Sequence, residues 1–86
     1  MRYEIQHTAR KHGIDDDEIL HTIQHALVVR DYGDNRTLYL GPDRAANLLE
    51  VVAILLDVAE VELVIHAMPM RPKYQPLLRG LGDPDA

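Results

Sequence analysis

Leu48 to Leu56 (LLEVVAILL) is a nearly continuous apolar run, far shorter than the ~20 residues a membrane span needs. Its length and its valines suit a central strand buried on both faces, although periodicity alone does not separate such a run from a helix. The flanking sequence supplies strands to pair with it. Leu27 to Tyr32 reads as a strand, followed by the turn cluster Gly33-Asp34-Asn35. Thr37 to Leu40 reads as another, ended by Gly41-Pro42-Asp43, because Pro42 has no N–H to donate to a ladder. After a turn at Asp57 to Glu60, Val61 to Ala67 reads as the last strand. Strict alternation puts Val61, Leu63, Ile65 and Ala67 on one face and Glu62, Val64 and His66 on the other.

The N-terminal part reads as helical. Residues 3–12 are expected to form a short helix stopped by Gly13, which tolerates the left-handed conformation at a helix end. A second helix starts at Asp15, an N-cap with Glu18 at the capping-box position and Ile14 and Ile19 placed for a hydrophobic staple. Asp16, Asp17 and Glu18 sit where the helix dipole favours negative charge. Ile19, Leu20, Ile23, Ala26 and Leu27 make its apolar stripe. Pro69 and Pro72 end the last strand, and residues 73–78 form at most a short helical turn before a tail, 80–86, expected to be disordered. The 86 residues make one domain, residues 1–79. The expected class is α+β, with N-terminal helices packed on one face of a four-stranded antiparallel sheet.

Composition narrows the chemistry. Without cysteine there is no disulfide and no thiolate metal site. No apolar run is long enough for a membrane span and the N-terminus lacks signal-peptide order, so the cytoplasm is the expected compartment. The net charge of −5 argues against attraction of the whole surface to nucleic acid. The charge is uneven, however. From Arg71 to Arg79 there are three basic residues and no acidic one, and Arg10 and Lys11 form a second basic spot. There is no phosphate-binding glycine loop and no nucleophile elbow. His21 and His25 have a metal-compatible spacing but point away from the apolar stripe with no third ligand indicated. They read as surface histidines, and neither metal nor cofactor is expected. Gly41-Pro42-Asp43-Arg44 reads as a turn.

Ile65 to Tyr74 brings an imidazole (His66), a guanidinium (Arg71), an ammonium (Lys73) and a phenol (Tyr74) into ten residues. Cleavage of RNA by its own ribose 2′-OH needs a base, an acid for the departing 5′-oxygen and cations around phosphorus. Histidine serves as acid or base near neutral pH, and arginine suits phosphate. A histidine at a strand end is more often a satisfied structural group, and residue types alone favour that reading.

The order of motifs adds to this. Arg10-Lys11-His12-Gly13-Ile14 before an acidic-capped helix resembles the opening of the BrnT-like toxins, within the RelE-like superfamily. Arg36 to Gly41 with Leu48 to Val52 is similar to that family's middle strands, and Val64 to Ala67 running into Arg71 and Tyr74 resembles its last strand and basic tail. The resemblance implies the toxin of a type II toxin–antitoxin pair, a metal-independent endoribonuclease acting on mRNA, free or on the ribosome, and held by a cognate antitoxin protein. It further implies His66 as general acid or base, Arg71 and Lys73 on the scissile phosphate, Tyr74 as a substrate-positioning group, and Lys11 and Arg10 along the phosphate track. Three features depart from the family: the chain is acidic, its basic tail is thin, and a histidine stands at position 66 where serine is common. The alternative is a non-catalytic interaction module of the same fold, using the acidic segment 31–68 and the His21/His25 face.

Overall fold

In the computed structural model of the chain, which describes residues 2–57 and 60–80, the elements run in this order. β1 (Arg2–Ile5) leads to a 3-10 turn (His7–Arg10), α1 (Asp16–Gln24), β2 (Val28–Asp31), β3 (Arg36–Pro42), β4 (Leu48–Leu56) and β5 (Val61–Pro69). A second 3-10 turn (Pro72–Tyr74) and α2 (Gln75–Leu78) follow. The described strands form one five-stranded sheet in the order β1-β5-β4-β3-β2. β1 lies parallel to β5, and every other pair is antiparallel. Residues 58 and 59 of the expected turn and residues 81–86 of the expected tail lie outside the described residues.

The sheet is therefore mixed and five-stranded, not the four-stranded antiparallel sheet expected. The extra strand comes from the segment read as a helix over residues 3–12. Arg2, Tyr3, Glu4 and Ile5 alternate exposed and half-buried, a strand period. Pairing with β5 satisfies their backbone and lets Tyr3 and Ile5 pack on the core, which outweighs a weak local helix preference. Only His7–Arg10 keeps helical character, as one 3-10 turn.

β4 is the central strand, as its apolar run suggests, and its two faces meet different cover. Val51 and Ala53 pack with Ile19 and Ile23 of α1 and with Ala9 of the 3-10 turn. Val52 lies on the other face, against Leu38, Leu40, Tyr74 and Leu77. Helical elements thus cover both faces, not one.

α1 begins where expected, with Asp15 as an extended N-cap, but its side chain makes no cap hydrogen bond and the capping box does not form. Glu18 instead accepts from the Arg44 backbone N–H at 2.8 Å and pairs with its guanidinium. Thr22, not Leu27, completes the buried stripe. Its hydroxyl donates to the Pro42 carbonyl at 3.2 Å, while Leu27 leaves the helix and is 66% exposed.

Gly41 and Pro42 belong to β3 and not to a turn. A Cβ on Gly41 would lie 2.9 Å from both the Ala26 Cα and the Thr22 carbonyl oxygen, so its glycine lets α1 approach the strand closely. The turn comes later, where the Asp43 carboxylate accepts from the Ala45 and Asn47 backbone N–H groups.

β5 does not alternate strictly. Across the ladder to β4, Ala53 faces Val64 and Val52 faces His66, which leaves Ile65 as one extra residue on β5. This bulge resets the alternation. Val64 and Ala67 share the α1 face, whereas His66, opposite Val52, lies on the other. The expected grouping of Val64 with His66 is corrected for that reason.

Candidate active site

The bulge delivers His66 to a carboxylate. Glu50 lies two residues before Val52 on β4, hence on the same face, and its side chain is fully buried. Its Oε2 is 3.1 Å from His66 Nε2. The Arg71 backbone N–H donates to Oε1 at 2.9 Å, and the guanidinium donates from Nε to Oε1 at 3.0 Å and from Nη2 to Oε2 at 2.7 Å. Burial pushes the Glu50 carboxyl up, but the bonds from Arg71 and then His66 outweigh it and hold the group below the usual carboxylate range. An ionised carboxylate only accepts hydrogen bonds, so His66 must carry a proton on Nε2. In neutral His66 the lone pair is then on Nδ1. The His66 side chain keeps 29% of its surface exposed and Arg71 45%, so a buried anion is linked to solvent through two cationic or protonatable groups.

A second imidazole stands beside the first. The ring centroids of His12 and His66 are 5.9 Å apart, edge to face at 81°. His12 follows the 3-10 turn, which is anchored by the Thr8 hydroxyl donating to the carbonyl of the bulged Ile65 at 3.0 Å. Gly13, at φ +76°, reverses the chain immediately afterwards.

The other residues singled out from the sequence are placed less evenly. Tyr74 is 4% exposed and packs with Leu38, Leu40 and Leu77. Its ring carries Lys73 Nζ at 5.0 Å and Arg71 Cζ at 5.9 Å from its centroid, and its hydroxyl is 3.5 Å from that of Tyr32. Lys73 and Lys11 are exposed. Arg10 is held by Asp16 in a two-pronged pair at 2.9 and 2.7 Å, at the foot of α1. The structure thus gathers His66 and Arg71 around Glu50, sets Tyr74 beneath the cations, and leaves Arg10 in an ion pair of its own.

Glu50 and His12 were not picked out from the sequence. The signal for Glu50 was its place as the lone charge in the apolar run Leu48 to Leu56, since a buried carboxylate requires partners. His12 stands in the motif Arg10 to Ile14, but nothing there indicates a chemical role, because its neighbour His66 is distant in the chain.

Two further polar groups are structural. Tyr39 donates to both oxygens of buried Glu62, at 2.8 and 2.9 Å, on the α1 face. Burial, reinforced by that carboxylate, pushes the Tyr39 phenol far up. His21 and His25 stack at 4.3 Å, and His21 Nδ1, facing the Pro42 carbonyl at 3.0 Å, must donate to it. Among the described residues no group of three or more His, Asp or Glu side chains is arranged to hold a metal ion.

No protein-family model matches the chain, and no curated protein matches it. Among solved structures, the ribonuclease toxin BrnT of Brucella abortus superposes with a TM-score of 0.65 at 19% identity, over 83% of this chain and 97% of that one. This chain has a BrnT-like fold. The resemblance read from the motifs therefore holds at the level of the backbone and spans nearly the whole BrnT chain. No helix among the described residues is long and apolar enough to cross a membrane.

Proposed function

We propose that this chain is the toxin of a toxin–antitoxin pair and a metal-independent ribonuclease whose chemistry runs through His66. The observation that carries the reading is the hydrogen bond between His66 and the buried Glu50, on the fold of a ribonuclease toxin. Glu50 holds the ring in one orientation and one tautomer, leaving Nδ1 to take a proton. The ribose 2′-OH gives its proton to that nitrogen and its oxygen attacks phosphorus. The bond to the 5′-oxygen breaks, and that oxygen takes up a proton from an acid other than His66. The products are a 2′,3′-cyclic phosphate and a 5′-hydroxyl, with His66 then releasing its proton to water. The exposed edge of Arg71 meets the non-bridging oxygens, and Lys73 and Lys11 extend the contact along the strand. Tyr74 acts through its ring by positioning the two cations, and Arg10 lends long-range charge already offset by Asp16. The natural partner is a protein antitoxin that covers this face, and the natural substrate is mRNA, free or ribosome-bound.

The test is growth after induction of the chain alone, with cleavage of naked and ribosome-bound mRNA by the purified protein, with and without a chelator. His66→Gln keeps a donor for Glu50 but carries no titratable nitrogen. Arrest and chelator-resistant cleavage by the parent, both lost in a folded His66→Gln, support the reading. Normal growth and intact RNA with the soluble parent would leave the same fold as a protein-interaction module.

A further inference from the structure

Within the ribonuclease reading, one imidazole leaves the reaction unbalanced. His66 Nδ1 accepts the proton of the 2′-OH, but the 5′-oxygen departs as an alkoxide unless something protonates it. Arg71 is a poor source, because a guanidinium does not give up its proton in proteins and two of its nitrogens are bound to Glu50. Tyr74 is buried with its hydroxyl beside that of Tyr32. Lys73 lies over the Tyr74 ring. The protonatable ring beside His66 is His12, at 5.9 Å between centroids.

We infer that His12 is the second proton carrier of the site, the general acid that protonates the departing 5′-oxygen while His66 takes the proton of the 2′-OH. The division follows from the surroundings of the two rings. His66 is fixed by Glu50 in a tautomer that presents a lone pair, as a base requires. His12 is exposed, where it recovers a proton from water after each turnover. The proton balance closes: the 2′-O–H bond breaks to His66, the phosphorus–5′-oxygen bond breaks, and the proton of the His12 imidazolium ends on that oxygen.

The same backbone irregularity builds both halves. The extra residue Ile65 turns His66 to the Glu50 face, and its carbonyl, accepting from Thr8, ties down the turn that carries His12. β1 ends at Ile5 opposite Val64, just before the bulge, which frees the following segment to cross to His66. A chain with serine at position 66 would have neither the ring contact nor a nitrogen to take the proton, so the pair depends on this sequence's own histidine.

The experiment compares two RNA substrates cut by the full chain, one with the ordinary 5′-oxygen and one with a bridging 5′-sulfur, which leaves without a proton. His12→Ala and His12→Asn, checked for parental melting temperature, should cleave the oxygen substrate about 10²–10⁴-fold more slowly and the sulfur substrate almost normally. The alkaline limb of their rate–pH profile should disappear. His66→Gln should be slow with both. Equal losses on both substrates, or none on either, would overturn the role of His12 while leaving the ribonuclease intact. A parent that cuts neither substrate would remove the ribonuclease reading itself, and this role with it.

Discussion

Two carboxylates are buried in one small sheet, on opposite faces, and their partners differ. Glu62 sits on the α1 face, where its two oxygens share the single proton of the Tyr39 phenol. Glu50 sits on the other face and is bound by Arg71 and His66, both in touch with solvent. A buried acid that meets only uncharged donors within the core ties strands β3 and β5 together. One that meets a guanidinium and an imidazole sets their orientation as well, and that is the arrangement a reaction can use. Burial is nearly the same in the two cases, and the chemistry of the partners is what distinguishes them.

The largest effect should come from His66→Gln, which lowers RNA cleavage about 10²–10⁴-fold with little change in melting temperature. Tyr39→Phe, its counterpart on the other face, should leave the rate constant of the folded protein unchanged. A clear loss of cleavage in folded Tyr39→Phe would break the distinction between the two acids.

Stability should divide similarly. Arg71→Met leaves a fully buried carboxylate with only His66 and the backbone N–H of residue 71. Urea unfolding should report a loss of about 3 kcal/mol, at the low end for a broken buried pair because Arg71 is half exposed and its N–H bond survives. Adding Glu50→Met removes the stranded charge, so the double variant should recover most of the loss. A double variant no better than Arg71→Met would mean that shape, not charge, matters there. Tyr39→Phe removes one donor from Glu62 and should cost about 1–3 kcal/mol.

The pH dependence separates the acids further. Because Glu50 is held below its unfolded value, it contributes stability above the ordinary carboxylate range and loses it as pH falls through the depressed folded value. Melting temperature against pH should therefore fall on the acid side, and Glu50→Gln should flatten that fall. An unchanged acid slope in Glu50→Gln would show that other carboxylates set it, such as Asp16 and Asp43, which are also held low by their partners.

The smallest change belongs to the exposed cations. Lys73→Ala should weaken binding to single-stranded RNA and reduce the slope of log affinity against log salt by about 0.7. Arg10→Ala, whose charge is already balanced by Asp16, should alter that slope less than Lys73→Ala does. The reverse order would move the RNA track to the N-terminal side.

Much of the architecture was readable along the chain. The acidic start of α1, the strand at Val28–Asp31 with its turn at Gly33, the central strand Leu48–Leu56 and the last strand from Val61 all rest on contacts or conformations local to the sequence. His66 and Arg71 were readable by type. Their mutual partner was not, since Glu50 looked like an interruption in an apolar strand. Arg10 looked free for phosphate because nothing local announces that Asp16 folds back to it across Gly13.

What only the tertiary structure decided has one physical source. A strand's faces are defined by its ladder, so a single extra residue at Ile65 inverts everything after it without a trace in the hydrophobic pattern. The same holds for Arg2–Ile5, four residues too few to declare a strand until the open edge of β5 supplies their hydrogen bonds. By itself the sequence determined which residues could carry acid–base chemistry and the order of most elements. Strand pairing over long separations decided which face His66 occupies, which carboxylate orients it, and which second imidazole stands beside it.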